Sequence, residues 1–148
     1  MTMREDLPLA VTIEVRDHCL CLHLQRAARA LARRFDEALR PFGITSGQFS
    51  LLMSLNRPTP PRISDIAALL GMDRTTLTAN LKPLERQGLV EGDRDPADRR
   101  SRLLRLTGAG QDVLAAALPV WREVNEAIDR LLPDTDPQQF RADLRTLS

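Results

Sequence analysis

The sequence predicts a mainly α fold with a small β-hairpin wing: a winged helix-turn-helix, dimerised through its N- and C-terminal helices. Three observations carry this. Two short apolar-periodic segments meet at a tight "LLGMD" turn, the first half of a helix-turn-helix. A charged stretch with turn chemistry, "EGDRDPADRR", then lies between short β-type runs. Long segments with an apolar stripe flank this unit on both sides.

Asp17 to Leu39 reads as one long helix, because Leu24, Ala28, Leu31, Phe35 and Ala38 recur at steps of four and three. Arg26, Arg29, Arg33 and Arg34 lie off that stripe, and "RPFG" ends the helix. Thr45 opens a second helix, with Gln48 completing a capping box and Phe49, Leu52, Met53 and Leu55 as its buried side. After the stiff connector "NRPTPPR", Ser64 caps the short helix "DIAALL", which stops at Gly71. A fourth helix runs from about Asp73 to Gln87 and ends at Gly88. Leu89 and Val90 begin a hairpin whose long charged tip is "EGDRDPADRR" and whose returning strand is "SRLLRLT". Thr107 caps a long helix to about Leu132, interrupted at Pro119, and "DPQQFRADLRTL" forms the last. The expected division is an N-terminal arm and dimerisation helix over 1–44, a DNA-binding lobe over 45–106 and C-terminal dimerisation helices over 107–148.

The chain has 148 residues and a net charge of +1, so bulk charge names no partner. Its distribution is more informative. Arg74, Lys82, Arg86, Arg94, Arg99, Arg100, Arg102 and Arg105 make the middle mildly basic, while acidic residues outnumber basic ones after Thr107. No apolar run is long enough for a membrane span, and the first residues lack the order of a signal peptide, so a cytoplasmic protein with no membrane partner is expected.

The segment "DRTTLTANLKPLERQGLV" opens with threonines, mediocre helix formers, and carries a proline. Stability alone does not select those residues. Leu77, Leu81 and Leu84 fall on one side of the helix. Thr75, Ala79, Lys82 and Arg86 fall on the other, flanked by Thr76 and Thr78 and preceded by Arg74. Short side chains at the N-terminal end suit a major groove, where an Ala or Thr methyl meets a thymine methyl. First-turn N–H groups suit a phosphate, and the cations further along neutralise backbone charge. A solvated helix face would use similar residues, but the turn before it and the basic hairpin after it favour DNA. The charged hairpin fits a solubilising loop or, more sharply, a wing whose arginine is expected to enter a narrow minor groove. Asp98 is then expected to pair with Arg100 and hold it extended, which leaves Arg94, Arg99 and Arg102 for phosphates.

The stretch "ISDIAALLGMDRTTLTANLKPLERQGLVEGDRDPADRRSRLLRLTGAGQDVL" resembles the winged helix of the MarR family of bacterial transcription regulators, most specifically in its "DPADRR" wing followed by Leu106 and Thr107. The resemblance implies a homodimer, formed by the first helix and the last two, on a pseudo-palindromic operator. It implies that the helix starting near Asp73 is the recognition helix and that Asp98 and Arg100 are the wing pair. Apolar surface agrees with assembly: Val113, Leu114, Leu118, Trp121, Val124, Ile128 and Leu131 exceed what one small winged helix covers. A symmetric dimer supplies the partner and sets two recognition helices roughly 34–36 Å apart.

Many MarR-like proteins leave DNA on binding a small apolar effector, and others on cysteine oxidation. An effector pocket between the first, second and fifth helices is expected. Cys21 resembles in position the reactive cysteine of the peroxide-sensing OhrR branch, but that branch's tyrosines are absent and Gln25 stands where one would fall. His18 and Arg16 are the candidate neighbours favouring a reactive thiolate. Cys19 lies about 200° from Cys21 around an intact helix, a poor disulfide geometry. Two small buried cysteines are the plainer expectation. His18 and His23, with both cysteines, are not expected to form a metal site, since alternate ligands splay around a helix; the His18–Cys21 and Cys19–His23 pairs leave only a metal bridged across a dimer as an alternative. No cofactor is expected.

Catalysis is not expected, for there is no Gly-rich phosphate loop, HExxH or GxSxG. The reading is a sequence-specific DNA-binding regulator of the repressor type, released by a small ligand or by oxidation. The alternative is a winged-helix protein-interaction module, distinguished by weak dependence on salt.

Overall fold

The computed structural model describes residues 2–148; Met1, the first residue of the expected arm, lies outside them. The order is α1 (Leu9–His18), α2 (Leu20–Leu39), a 3-10 turn (Arg40–Phe42), α3 (Ser46–Ser54), α4 (Ile63–Leu70), α5 (Arg74–Arg86), β1 (Val90–Asp95), β2 (Asp98–Leu106), α6 (Gly108–Asp129) and α7 (Pro137–Thr146). No helix among the described residues is long and apolar enough to cross a membrane.

The first expected helix is two. Helix α1 begins well before Asp17, and the backbone is extended at Cys19 (φ −70°, ψ 104°) before α2 starts. Both histidines reach back to carbonyls of α1, and His23 does so across the break. His18 Nδ1 lies 2.9 Å from the Glu14 carbonyl oxygen and His23 Nε2 lies 3.1 Å from that of Asp17. A carbonyl only accepts, so each ring nitrogen carries its proton there. The His23 ring thereby occupies a carbonyl that the break deprives of its helical donor.

Helix α3 has the capping box expected: Thr45 Oγ1 accepts the Gln48 N–H and Gln48 Oε1 accepts the Thr45 N–H. Its buried side is Phe49, Leu51, Leu52 and Leu55. Met53 is instead exposed, because α3 is covered on two sides and this residue turns to the remaining open one. Ser64 does not cap α4. The N-cap is Arg62, whose N–H is accepted by Asp65 Oδ2, and Ser64 sits inside the first turn.

The hairpin is longer and its tip shorter than expected. Its strands pair antiparallel from Val90 opposite Leu106 to Asp95 opposite Asp98, leaving only Pro96 and Ala97 at the turn. Backbone pairing needs no apolar side chains, so the charged run is itself strand. Arg62 bridges Leu103, and the Leu104 N–H donates to the Pro61 carbonyl, which adds a short third edge.

Helix α6 runs unbroken through Pro119. The proline removes one donor, that to the Ala115 carbonyl, and both residues are on the exposed side where water substitutes. At the helix start, the Thr107 hydroxyl donates to the Gly88 carbonyl and accepts the Gly110 N–H.

One core holds these parts. Leu39, Leu51, Leu52, Ile66, Leu77, Leu81, Leu84 and Leu104 are fully buried, and Leu114 and Ala117 of α6 complete the cluster. Trp121 is a wedge between Phe35 of α2 and Phe49 of α3, with ring centroids 6.4 and 5.7 Å away.

Candidate nucleic-acid interface

Helices α4 and α5 are joined by a turn that needs Gly71 in the left-handed region (φ 63°), a conformation with no penalty for glycine. Ile63, Ile66 and Ala67 anchor α4, and Leu77, Leu81 and Leu84 anchor α5. With that stripe inside, Arg74, Thr75, Thr78, Ala79 and Lys82 line a shallow depression on the outer surface of α5. The expected recognition face is therefore open.

The start of α5 is strongly capped. Asp73 Oδ1 accepts the Thr76 N–H at 2.8 Å, and its Oδ2 accepts the Thr76 hydroxyl at 2.8 Å. These two donors, the backbone one foremost, hold the Asp73 carboxyl below its ordinary range. The Thr78 hydroxyl donates to the Arg74 carbonyl at 2.8 Å. Two of the three threonines thus have intramolecular tasks, and Thr75 alone has a hydroxyl with no such bond among the described residues. The helix also runs through Pro83 to Arg86.

Arg74, Lys82 and Arg86 on α5 and Arg94, Arg99 and Arg100 on the wing are all exposed and outside every ion pair among the described residues. Arg102 differs. Its guanidinium reaches back to Glu85 of α5 and joins the wing to that helix. Gly92 makes room for the crossing: a Cβ there would lie 2.5 Å from Arg102 Nη2. Arg102, expected as a phosphate contact, is thereby tied to Glu85 as a strut between wing and α5. Asp98 is corrected too. Its Oδ1 accepts the backbone N–H of Arg100 at 3.0 Å, and no ion pair joins the two side chains. The carboxylate shapes the strand start rather than extending the arginine. Arg105 is spent across the hairpin on Glu91 and Asp93, which raise its already high pKa.

The expected sensing residues are only partly brought together. Gln25 Nε2 is 3.3 Å from Cys21 Sγ, as their four-residue spacing suggests. The His18 ring is held by Glu14, and Arg16 by Asp17 with Nε 2.6 Å from Oδ1, so neither is left free for the thiol. Cys21 is exposed and Cys19 half-buried, which overturns the expectation of two buried cysteines. Because Cys19 sits in the break, the geometry of an intact helix does not separate the pair. No group of three or more metal-ligating residues forms among the described residues.

Two apolar recesses flank Met53. One of about 320 Å³ is lined by Phe49, Ser50, Met53, Ser54, Leu69 and Trp121. The other, of about 270 Å³, adds Asn56, Gln111, Leu114, Ala115 and Leu118. They open between α3, α4 and α6. Helix α2 contributes no lining, contrary to expectation, because the Phe35–Trp121 stack fills that side.

Sequence reasoning missed Arg62, Glu85, Gly92 and Asp95, which hold the wing. Nothing in the run "EGDRDPADRR" distinguishes Asp95 from its acidic neighbours.

A model of the MarR family matches residues 44–101. The transcriptional regulator HosA of Escherichia coli O111:H- is 33% identical over 84 residues, covering 56% of this chain and 62% of HosA. Among solved structures, the M. tuberculosis transcriptional regulator MosR in complex with DNA is 37% identical with a TM-score of 0.77, covering 88% of this chain and 93% of MosR. The transcriptional repressor CouR bound to a 23-mer DNA duplex is 32% identical with a TM-score of 0.71, covering 90% and 92%.

Proposed function

Because the chain belongs to the MarR family of transcriptional regulators, we propose that it is a repressor that binds a pseudo-palindromic operator as a homodimer in the cytoplasm. The observation that carries this reading is the open outer face of α5 beside a wing with three unpaired arginines. The DNA-bound forms of MosR and CouR support it. Thr75 and Ala79 meet base edges in the major groove, and Thr76 and Thr78 add their methyl groups. Arg74, Lys82 and Arg86 neutralise phosphates, while Arg94, Arg99 and Arg100 serve the wing. Residues 1–44 and 107–148 make the dimer, and residues 45–106 bind DNA.

Release has two candidate triggers. The recesses beside Met53 and Trp121 suit a small apolar effector. The exposed Cys21, with Cys19 at a break between helices, suits peroxide oxidation reversed by thiols.

The test is fluorescence anisotropy of the reduced protein on the DNA upstream of its own gene, over a salt series. Binding above a scrambled control that falls steeply with salt is expected. Peroxide should abolish it and thiol restore it if oxidation is the trigger. Absence of binding to either DNA at low salt would sink the regulator reading in favour of a protein-interaction module.

A further inference from the structure

We propose that Arg62 and Asp95 are positioning residues that set the pose of the wing tip against the helix pair. The proposal rests on the DNA-binding reading above. Asp95 is the one charged residue that is buried among the described residues, at 5% exposure. It ends β1, where the ladder register slips between Arg94 and Asp95. Its Oδ1 accepts the Ala97 N–H at 2.9 Å and closes the two-residue tip. Its Oδ2 lies 2.8 Å from Arg62 Nε, without the alignment of a hydrogen bond, and has no other polar partner. Arg62 is itself fixed, as the N-cap of α4 and as a bridge to Leu103 of β2.

A carboxylate taken out of water is costly unless compensated, and a half-exposed arginine compensates it only in part. Stability is therefore a weak reason for this pair. Geometry is a better one. A two-stranded hairpin is marginal alone, and the Arg102–Glu85 contact anchors it to α5 along only part of its length. The Arg62–Asp95 pair anchors the far end to α4. Arg94 precedes Asp95 directly, and Arg99 and Arg100 follow the turn, so the tip's pose decides where all three unpaired cations point. The helix pair and the wing then approach DNA as one body.

The test uses the full chain and its own upstream DNA, with Arg62→Gln, Asp95→Asn and the double variant. Asp95→Asn retains an acceptor for the Ala97 N–H while removing the charge. Each single variant is expected to lose about three- to tenfold in affinity on AT-rich flanks and part of its preference over GC-rich flanks, with the double variant no worse than either. The penalty for base changes beneath α5 should stay as in the native protein, which a general loss of folding would not leave intact. Additive losses, or unchanged flank preference, would overturn the proposal. So would a salt slope lower by about one for Arg62→Gln alone, the mark of a direct phosphate contact. If Asp95→Asn melts below the assay temperature, Arg62→Gln and Arg62→Lys decide: the first should lose flank preference and the second keep most of it. Failure of the native protein to bind any DNA would be seen before a variant is made, and would remove the underlying reading as well.

Discussion

At the scale of single residues, α5 separates three threonines that composition treats alike. Thr76 spends its hydroxyl on the Asp73 cap and Thr78 on the Arg74 carbonyl, while Thr75 stays unbonded in the outer depression. Replacing Thr75 with Ala should relax base preference in a competition binding assay and leave the melting temperature unmoved. Thr76→Ala should lower the melting temperature, since Asp73 loses one of its two donors. Equal effects of the two changes on base preference would count against this division. The pH range of the cap follows in sign from its lowered pKa. Its stabilisation is complete above the ordinary carboxyl range and is lost as pH falls through the lowered value.

At the scale of elements, the junction between α5, the hairpin and α6 depends on close backbone approach. The Thr107 N–H donates to the Leu89 carbonyl, and a Cβ on Gly110 would lie 2.1 Å from that same oxygen. Backbone cannot move aside as a flexible side chain does. Gly110→Ala should therefore cost about 1–3 kcal/mol. That corresponds to about 2–4 °C in Tm for each kcal/mol at this chain length. Gly108 opens the same helix with nothing near its missing Cβ, so Gly108→Ala should leave Tm unchanged or raise it. Thermal denaturation of the two variants checks the contrast. The hairpin itself was only partly legible in the sequence. Most residues of the charged run from Glu91 to Arg100 face water, so the apolar alternation that marks a strand is missing there.

At the scale of the whole molecule, apolar surface is left over at both ends of the chain. Leu9, Val15 and Leu20 near the N-terminus are each more than half exposed, as are Leu131 and Leu147 near the C-terminus. Phe140 on α7 adds to them. Their covering by a second copy is part of the proposed function. Leu131→Glu with Leu147→Glu should shift sedimentation towards a monomer and weaken operator binding by about 10²–10⁴-fold, because two half-sites are then no longer held together. Leu69→Glu alters an equally exposed leucine on α4, away from both termini, and should leave the assembly intact. Loss of the dimer in that control would place the interface elsewhere.

The Thr45 and Thr107 caps, the order of elements from α3 onward and the buried Leu77, Leu81 and Leu84 stripe were all determined by the sequence alone. Each rests on residues within one or two turns of each other, where spacing implies contact. Only the tertiary structure decided that Arg102 belongs to Glu85 and Asp95 to Arg62. It likewise decided that the first helix breaks at Cys19 and that Pro119 does not interrupt α6. The two ion pairs join partners 17 or more positions apart, and Pro119 is tolerated because its side of α6 meets water. No local pattern encodes that, because long-range neighbours exist only once the chain has folded.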